Sequence, residues 1–278
     1  MCCLMSSPLL LQGCAWWDLK QRQLVFRPSP GQPADFALRP GDLSYTVAVP
    51  GAVPGTQDRL QLWWLPNADA RAPTLLYLHG TFRALYRNLP KIEALREAGF
   101  SVLAVDYRGW GESTPLIPSE ASIYADADVA WAELVKRQPD PGRRVIFGHS
   151  MGGGVAVELA SRKHRGQDYG GLILESTFTR LPAVAAELGT LGTMASWLAS
   201  EKFDSIDKIG RIDAPILIMH GSADDTVPIG LGRQLRDAAP AGTRWVEFTG
   251  GSHSRLHSED PGLYREAVKS LIARLQLP

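Results

Sequence analysis

The chain has 278 residues, of which 45% are apolar and 21% charged, the proportions of a packed globular protein and far from those of a disordered one. Lysine plus arginine, 29 in all, equals aspartate plus glutamate; the net positive field that a nucleic-acid backbone or an anionic membrane demands is absent, so no nucleic-acid partner is expected. The three cysteines, Cys2, Cys3 and Cys14, crowd the amino terminus, which leaves the rest of the chain without a disulfide, a cysteine-ligated zinc or a cysteine nucleophile.

The first feature along the chain is a short apolar stretch that ends in Leu9-Leu10-Leu11-Gln12-Gly13-Cys14. It resembles a bacterial lipobox, in which a signal peptide is cut before a cysteine that then receives lipid. On that reading residues 1–14 are a lipoprotein signal and anchor segment, Cys14 ties the protein to a membrane, and the location is the cell envelope, membrane-anchored or periplasmic. No Lys or Arg precedes the stretch, as a secretory n-region normally requires, and Gln12 is atypical at its position; a frayed cytoplasmic terminus is the alternative. Elsewhere nothing approaches the ~20 consecutive apolar residues of a spanning helix, so the body is expected to be soluble.

After a proline-rich stretch (Pro28, Pro30, Pro33, Pro40), Leu43–Val49 and Leu60–Leu65 are short and rich in β-branched and aromatic residues, with Pro54 and Gly55 between them. They read as an antiparallel hairpin. From Thr74 the pattern becomes short apolar runs at Leu75–Leu78, Val102–Val105, Val145–Phe147, Leu172–Leu174, Ile216–Met219 and Trp245–Phe248. Segments of helical period alternate with them at Leu89–Ala98, Ser122–Lys136, Gly154–Arg162, Ile229–Ala238 and Leu263–Leu275. Such alternation predicts an α/β, doubly wound, mostly parallel sheet buried on both faces. Residues 177–212 break it. They carry Leu181, Val184, Leu188, Leu191, Met194 and Leu198 at helical spacing and are expected to form a small helical cap, cut in two by Gly189 and Gly192. The cap stripe is expected to pack on the sheet, with an acyl-chain pocket as the other reading. The main domain then spans residues 24–278.

Gly148-His149-Ser150-Met151-Gly152 lies directly after one apolar run and directly before a helical pattern. That is the context in which a serine at a sharp strand-to-helix turn is exposed as a nucleophile, its neighbouring glycines permitting close approach of the chain. The helix that follows aims its first amide, that of Met151, and its positive end at the place where an oxyanion would form.

Together with His79-Gly80 and Asp106-Tyr107-Arg108-Gly109-Trp110-Gly111-Glu112-Ser113, this motif resembles the α/β-hydrolase superfamily, in particular small-capped bacterial esterases and serine-aminopeptidase-like hydrolases. The resemblance runs from about Leu60 to the carboxyl terminus and is specific for fold and catalytic machinery, scarcely for substrate. It implies a serine hydrolase in which Ser, an acid and His follow in that order. Among the six histidines, His253 follows a glycine-rich loop at the carboxyl end of Trp245–Phe248 and is the expected base. His257 reads as a surface or supporting histidine, and the pair lacks the further ligands of a metal site. His220-Gly-Ser-Ala-Asp224-Asp225-Thr-Val-Pro228 resembles the family's His-Gly-x-x-Asp-x-x-Val-Pro and makes Asp224 the acid; Glu175 is the second choice, because some relatives carry the acid there. The resemblance puts the second oxyanion donor on the Thr81 amide.

Asp106, Arg108, Glu112 and Ser113 are read as scaffolding of a turn. Of the tryptophans Trp16, Trp17, Trp63, Trp64 and Trp110, only an outward-facing group needs explanation, and Trp63-Trp64 in a strand should face opposite ways. The expected reaction is hydrolysis of an ester, thioester or amide of a small-molecule acyl substrate through an acyl-enzyme, carboxylesterase-like, with no cofactor and no metal. Acyl transfer or peptidase action on the same fold, and a non-catalytic binding protein that kept the fold, are the alternatives. Oligomeric state is left open.

Overall fold

The computed structural model describes residues 8–187 and 200–275, with side chains from Trp16 onward. Eight strands form one sheet in the order β1-β2-β4-β3-β5-β6-β7-β8. They are β1 Leu43–Pro50, β2 Gln57–Leu65, β3 Thr74–Leu78, β4 Ser101–Asp106, β5 Arg144–His149, β6 Gly171–Glu175, β7 Ile216–Gly221 and β8 Arg244–Phe248. The first two pair antiparallel, with Leu43 opposite Trp64, and β2 runs antiparallel to β4. From β4 to β8 every pairing is parallel.

The parallel strands are continuous apolar runs because both their faces are covered. All five residues of β3 are buried. One core, around Leu76, Leu103, Trp110, Val155 and Leu174, lies on one face, and a second, around Trp63, Tyr77, Phe147, Ile173 and Tyr264, lies on the other. Trp63 belongs to the second core, stacked on Phe36 at 5.2 Å. Trp64 turns to the first, with the Arg137 guanidinium 4.9 Å from its ring.

The helices are α1 Pro8–Phe26, α2 Leu85–Glu97, α3 Glu120–Arg137, α4 Met151–Ser161, α5 Leu181–Ala186, α6 Ile206–Ile209, α7 Ile229–Ala238, α8 Leu256–Glu259 and α9 Pro261–Ile272 among the described residues. Helix α3 starts at a capping box in which Ser119 and Ser122 satisfy each other's amides. Helix α9 starts where Asp260 takes the Leu263 amide and Pro261 occupies the first turn.

Two elements depart from expectation. Helix α2 begins at Leu85, a turn before the predicted Leu89. Asp106 Oδ1 accepts the Leu85 amide at 2.9 Å and the Asn88 side chain bonds the Arg83 and Ala84 carbonyls at 3.0 Å, and these bonds fix a helix start upstream of Pro90. The second is α1, which the sequence did not suggest. It stops where Arg27 takes φ +43° just before Pro28, and Phe26 is buried in the first core. Within residues 177–212 the described part holds α5 and α6; Leu188, Gly189, Leu191, Gly192, Met194 and Leu198 lie outside the described residues.

Candidate active site

Parallel strands end their carboxyl termini on one rim, and the loops that follow β3, β5, β7 and β8 meet there. Ser150 stands at the corner between β5 and α4 with φ 56° and ψ −122°, a backbone conformation that L-residues avoid. The corner holds because chain packs against chain without side chains between. A Cβ at Gly148 would sit 2.2 Å from the Gly152 carbonyl oxygen, and one at Gly152 would sit 2.1 Å from that of Leu78. Neighbouring strands clamp the turn further. The Ser150 amide donates to the Glu175 carbonyl at 2.9 Å, and the Thr177 hydroxyl donates to the Ser150 carbonyl at 2.8 Å.

The loops after β7 and β8 bring Asp224 and His253 together. His253 Nδ1 lies 2.8 and 3.0 Å from the two Asp224 oxygens. Asp224 Oδ1 also accepts the amides of Thr226 at 3.0 Å and Val227 at 2.8 Å, and Oδ2 lies 3.2 Å from His220 Nε2. Burial acts to raise the Asp224 carboxyl, but hydrogen bonds from His220 and His253 override it and hold the group far below the usual carboxylate range. Asp224 is therefore ionised at any physiological pH. With Nδ1 donating to that carboxylate, Nε2 of His253 is left to face the cavity.

That cavity, about 500 Å³, is lined by Ser150 and His253 together with Thr81, Phe82, Arg83 and Asn88, among others. Ser150 and His253 share the cavity without a hydrogen bond between their side chains. Met151 is the first residue of α4, where no carbonyl one turn back takes its amide. The Thr81 amide has no acceptor among the described residues. Its loop is braced by His79, whose Nδ1 lies 2.6 Å from the Gly80 carbonyl and whose Nε2 lies 3.3 Å from Asp106 Oδ1.

Glu175 is not bonded to His253. Its carboxylate is wholly buried, paired with the Lys91 ammonium, and accepts the Tyr264 hydroxyl at 2.9 Å. Asp225 is exposed and takes only the Thr226 hydroxyl, at 3.2 Å. In the turn after β4 the Ser113 hydroxyl donates to the Asp106 carbonyl at 2.6 Å, and Arg108 binds Asp126 Oδ1 and Asp58 Oδ2, each at 2.9 Å. His257 is half-buried with its ring 6.1 Å from that of Tyr264, and no metal-binding group of His, Cys, Asp and Glu occurs among the described residues.

Two supporting histidines were missed as such. His220 reads as a strand end and His149 as a motif filler, yet His220 holds Asp224 and His149 Nε2 lies 2.9 Å from the His253 carbonyl. Burial first, then the Lys91 ammonium and His253, push His149 well below the ordinary imidazole pKa. The ring stays neutral with its proton on Nε2, donated to the loop that carries His253. The His149 bond joins segments 104 residues apart and nothing local signals it, whereas His220 and Asp224 are four residues apart in one motif.

The fold and rim define an α/β hydrolase. The chain belongs to that superfamily, in the family described as serine aminopeptidase, S33, whose pattern matches residues 69–207. The Mycobacterium tuberculosis protein Rv2307c is 32% identical over 263 residues, 91% of this chain and 87% of its own length. The lysophosphatidylserine lipase ABHD12 of Danio rerio is 32% identical over 193 residues, and the match covers 64% of this chain and 50% of that one. Among solved structures, the Pyrococcus furiosus esterase Pf2001 superposes with TM-score 0.69 at 16% identity, over 91% of this chain and 100% of the esterase. A monoacylglycerol lipase of Paleococcus ferrophilus gives 0.59 at 20% identity, over 77% and 99%.

Proposed function

We propose that this protein is a serine hydrolase that cleaves a carboxylic ester, thioester or amide through an acyl-enzyme, with carboxylic esters as its main substrates. The observation that carries the reading is the shared cavity: a serine in strained backbone at a strand–helix corner faces a histidine whose other ring nitrogen is held by an ionised aspartate. Ser150 Oγ attacks the acyl carbonyl while His253 Nε2 takes its proton. The resulting imidazolium is stabilised by Asp224, and the tetrahedral oxyanion is met by the Met151 and Thr81 amides. His253 then protonates the leaving group, and water repeats the sequence on the acyl-enzyme. The reaction so described uses no cofactor. Relatives and neighbours named as lipases and esterases support an acyl ester as the substrate class.

Residues 177–212 are proposed as a cap over this cavity, and Cys14 as the point of a lipid anchor that puts the protein at the cell envelope. No described helix is long and apolar enough to cross a membrane. Hydrolysis of p-nitrophenyl esters of rising chain length tests the reading. Wild type turns them over and Ser150→Ala does not while keeping its fold; full turnover by Ser150→Ala sinks it.

A further inference from the structure

The outward tryptophans need an explanation that catalysis does not supply. On α1, Trp16 is 59% exposed, Trp17 51% and Leu24 69%. Trp16, Leu19, Lys20, Gln23 and Leu24 follow the i, i+3, i+4, i+7, i+8 spacing of one helix face. The opposite side is pinned to the protein: Phe26 enters the core, the Ser200 hydroxyl donates to Asp18 at 2.6 Å, and Arg22 lies 3.8 Å from Glu201. The helix therefore turns Trp16, Leu19 and Leu24 outward, with Gln23 and Lys20 among them, the Lys20 ammonium 6.0 Å from the Trp16 ring.

The carboxyl end of α1 meets the loop that lines the catalytic cavity. Phe82 lines the cavity, is itself 41% exposed, and donates its amide to the Phe26 carbonyl at 3.4 Å. The Arg27 guanidinium lies 4.7 Å above the Phe82 ring. Charge accompanies the aromatic strip. Lys20, Arg27, Arg83 and Arg87 have no carboxylate partner among the described residues, whereas the acids along the inner side of α1 are engaged, Asp18 by Ser200 and Arg22, Glu201 by Arg22. Asp35 is the unpaired acid on the adjoining loop. A chain whose total charge is zero thus carries cations without acid partners on α1, on the Phe82 loop and in the first turn of α2, while Asp225, which lines the cavity, is an exposed acid without a basic partner among the described residues.

From these observations we infer that α1 and the Phe82 loop form a membrane-binding surface that lays the cavity mouth against a lipid bilayer bearing anionic headgroups. Tryptophans settle at the level of the headgroups because the indole is apolar in body and polar at its N–H. Lysine and arginine beside them meet the phosphates, and the helix lies in the interface without spanning it. Two adjacent exposed tryptophans with dispersed cations fit a fluid lipid surface, where the indoles settle at headgroup level and the cations meet phosphates. The surface is distinct from any acyl chain on Cys14 and acts without one. It also extends the hydrolase reading, on which this last point rests: an ester residing in the bilayer reaches Ser150 across Phe82 without passing through water.

The test uses the full chain carrying Cys14→Ser, so that no lipid on the protein contributes. Co-sedimentation is measured with vesicles of phosphatidylcholine alone and with phosphatidylglycerol added, at low and high salt. The surface predicts binding that phosphatidylglycerol strengthens and salt weakens. Trp16→Ser with Trp17→Ser lowers partition to both vesicles about tenfold or more. Lys20→Gln with Arg87→Gln lowers it about tenfold on the anionic vesicles only. Both variants keep full turnover of a soluble short-chain ester and lose turnover of an ester embedded in vesicles. A Cys14→Ser protein that stays in the supernatant with both vesicles overturns the inference, as does binding indifferent to the tryptophans. So does a drop in molecular mass in solution for the tryptophan variant, which would show that the face covers a second copy. Since soluble-ester turnover by Ser150 is read alongside, loss of the surface and loss of the hydrolase reading are told apart.

Discussion

Two buried carboxylates stand at neighbouring strand ends, Glu175 on β6 and Asp224 after β7, and the protein puts them to different uses. Asp224 is met by two amides and two imidazoles, one of them on the cavity wall. Glu175 is met by an ammonium and a phenol, all sealed in the interior. Its carboxylate charge is neutralised by Lys91 and has no path to His253, while its main-chain carbonyl holds the Ser150 amide. Residue type and strand position allow either acid to serve the base. What decides is which partner reaches each oxygen, and that partner comes from α2, far away in sequence.

The contrast is broken most severely at Asp224. Asp224→Asn keeps the shape but offers His253 an amide, favouring the wrong tautomer, and kcat is expected to fall by about 10⁴-fold; a loss under tenfold in steady-state kinetics would move the role elsewhere. Lys91→Met leaves the Glu175 carboxylate buried and unpaired and should cost about 3–5 kcal/mol in urea unfolding. Lys91→Met combined with Glu175→Leu should recover most of that, because removing both charges removes the desolvation with them.

A smaller effect separates the two acids through His149, which touches the His253 loop and feels Lys91. His149 is neutral when folded and has a depressed pKa, so its contribution to stability is fully present above pH 6.5, the ordinary imidazole value, and is lost as pH falls below it. The unfolded chain binds the proton that the folded chain refuses. The slope is about 1.4 kcal/mol per pH unit for this one group. His149→Gln, which can keep a donor toward the His253 carbonyl, should flatten the stability of the protein between pH 6.5 and 5; an unchanged slope would show that His149 takes up its proton normally. Least of all, Asp225→Asn should leave turnover within about twofold and stability within about 0.5 kcal/mol, since the group is exposed and bonded only to its neighbour.

Much of this architecture was legible in the residues themselves. The strands of the parallel sheet announce themselves as unbroken apolar runs because both faces are covered, and α7 falls on the expected bounds, Ile229–Ala238. Ser150 follows β5 directly, Asp224 lies three residues past β7 and His253 five past β8, so motif and strand together pointed to them. What was not legible depends on contacts between distant segments. The early start of α2 rests in part on Asp106, the engagement of His149 on the His253 carbonyl, and the sequestering of Glu175 on Lys91 and Tyr264. Helix α1 escaped because an apolar stretch read as a signal segment carries the same residues as a helix lying on a surface. Zero net charge likewise concealed the local distribution, in which Lys20, Arg27, Arg83 and Arg87 stand without acids.

The most direct test is a peptide map of the protein after reaction with a fluorophosphonate, which phosphonylates only an activated serine. The account predicts a single adduct on the oxygen of Ser150, formed by wild type and absent from Ser150→Ala. An adduct on any other residue, or labelling that persists in Ser150→Ala, would contradict it.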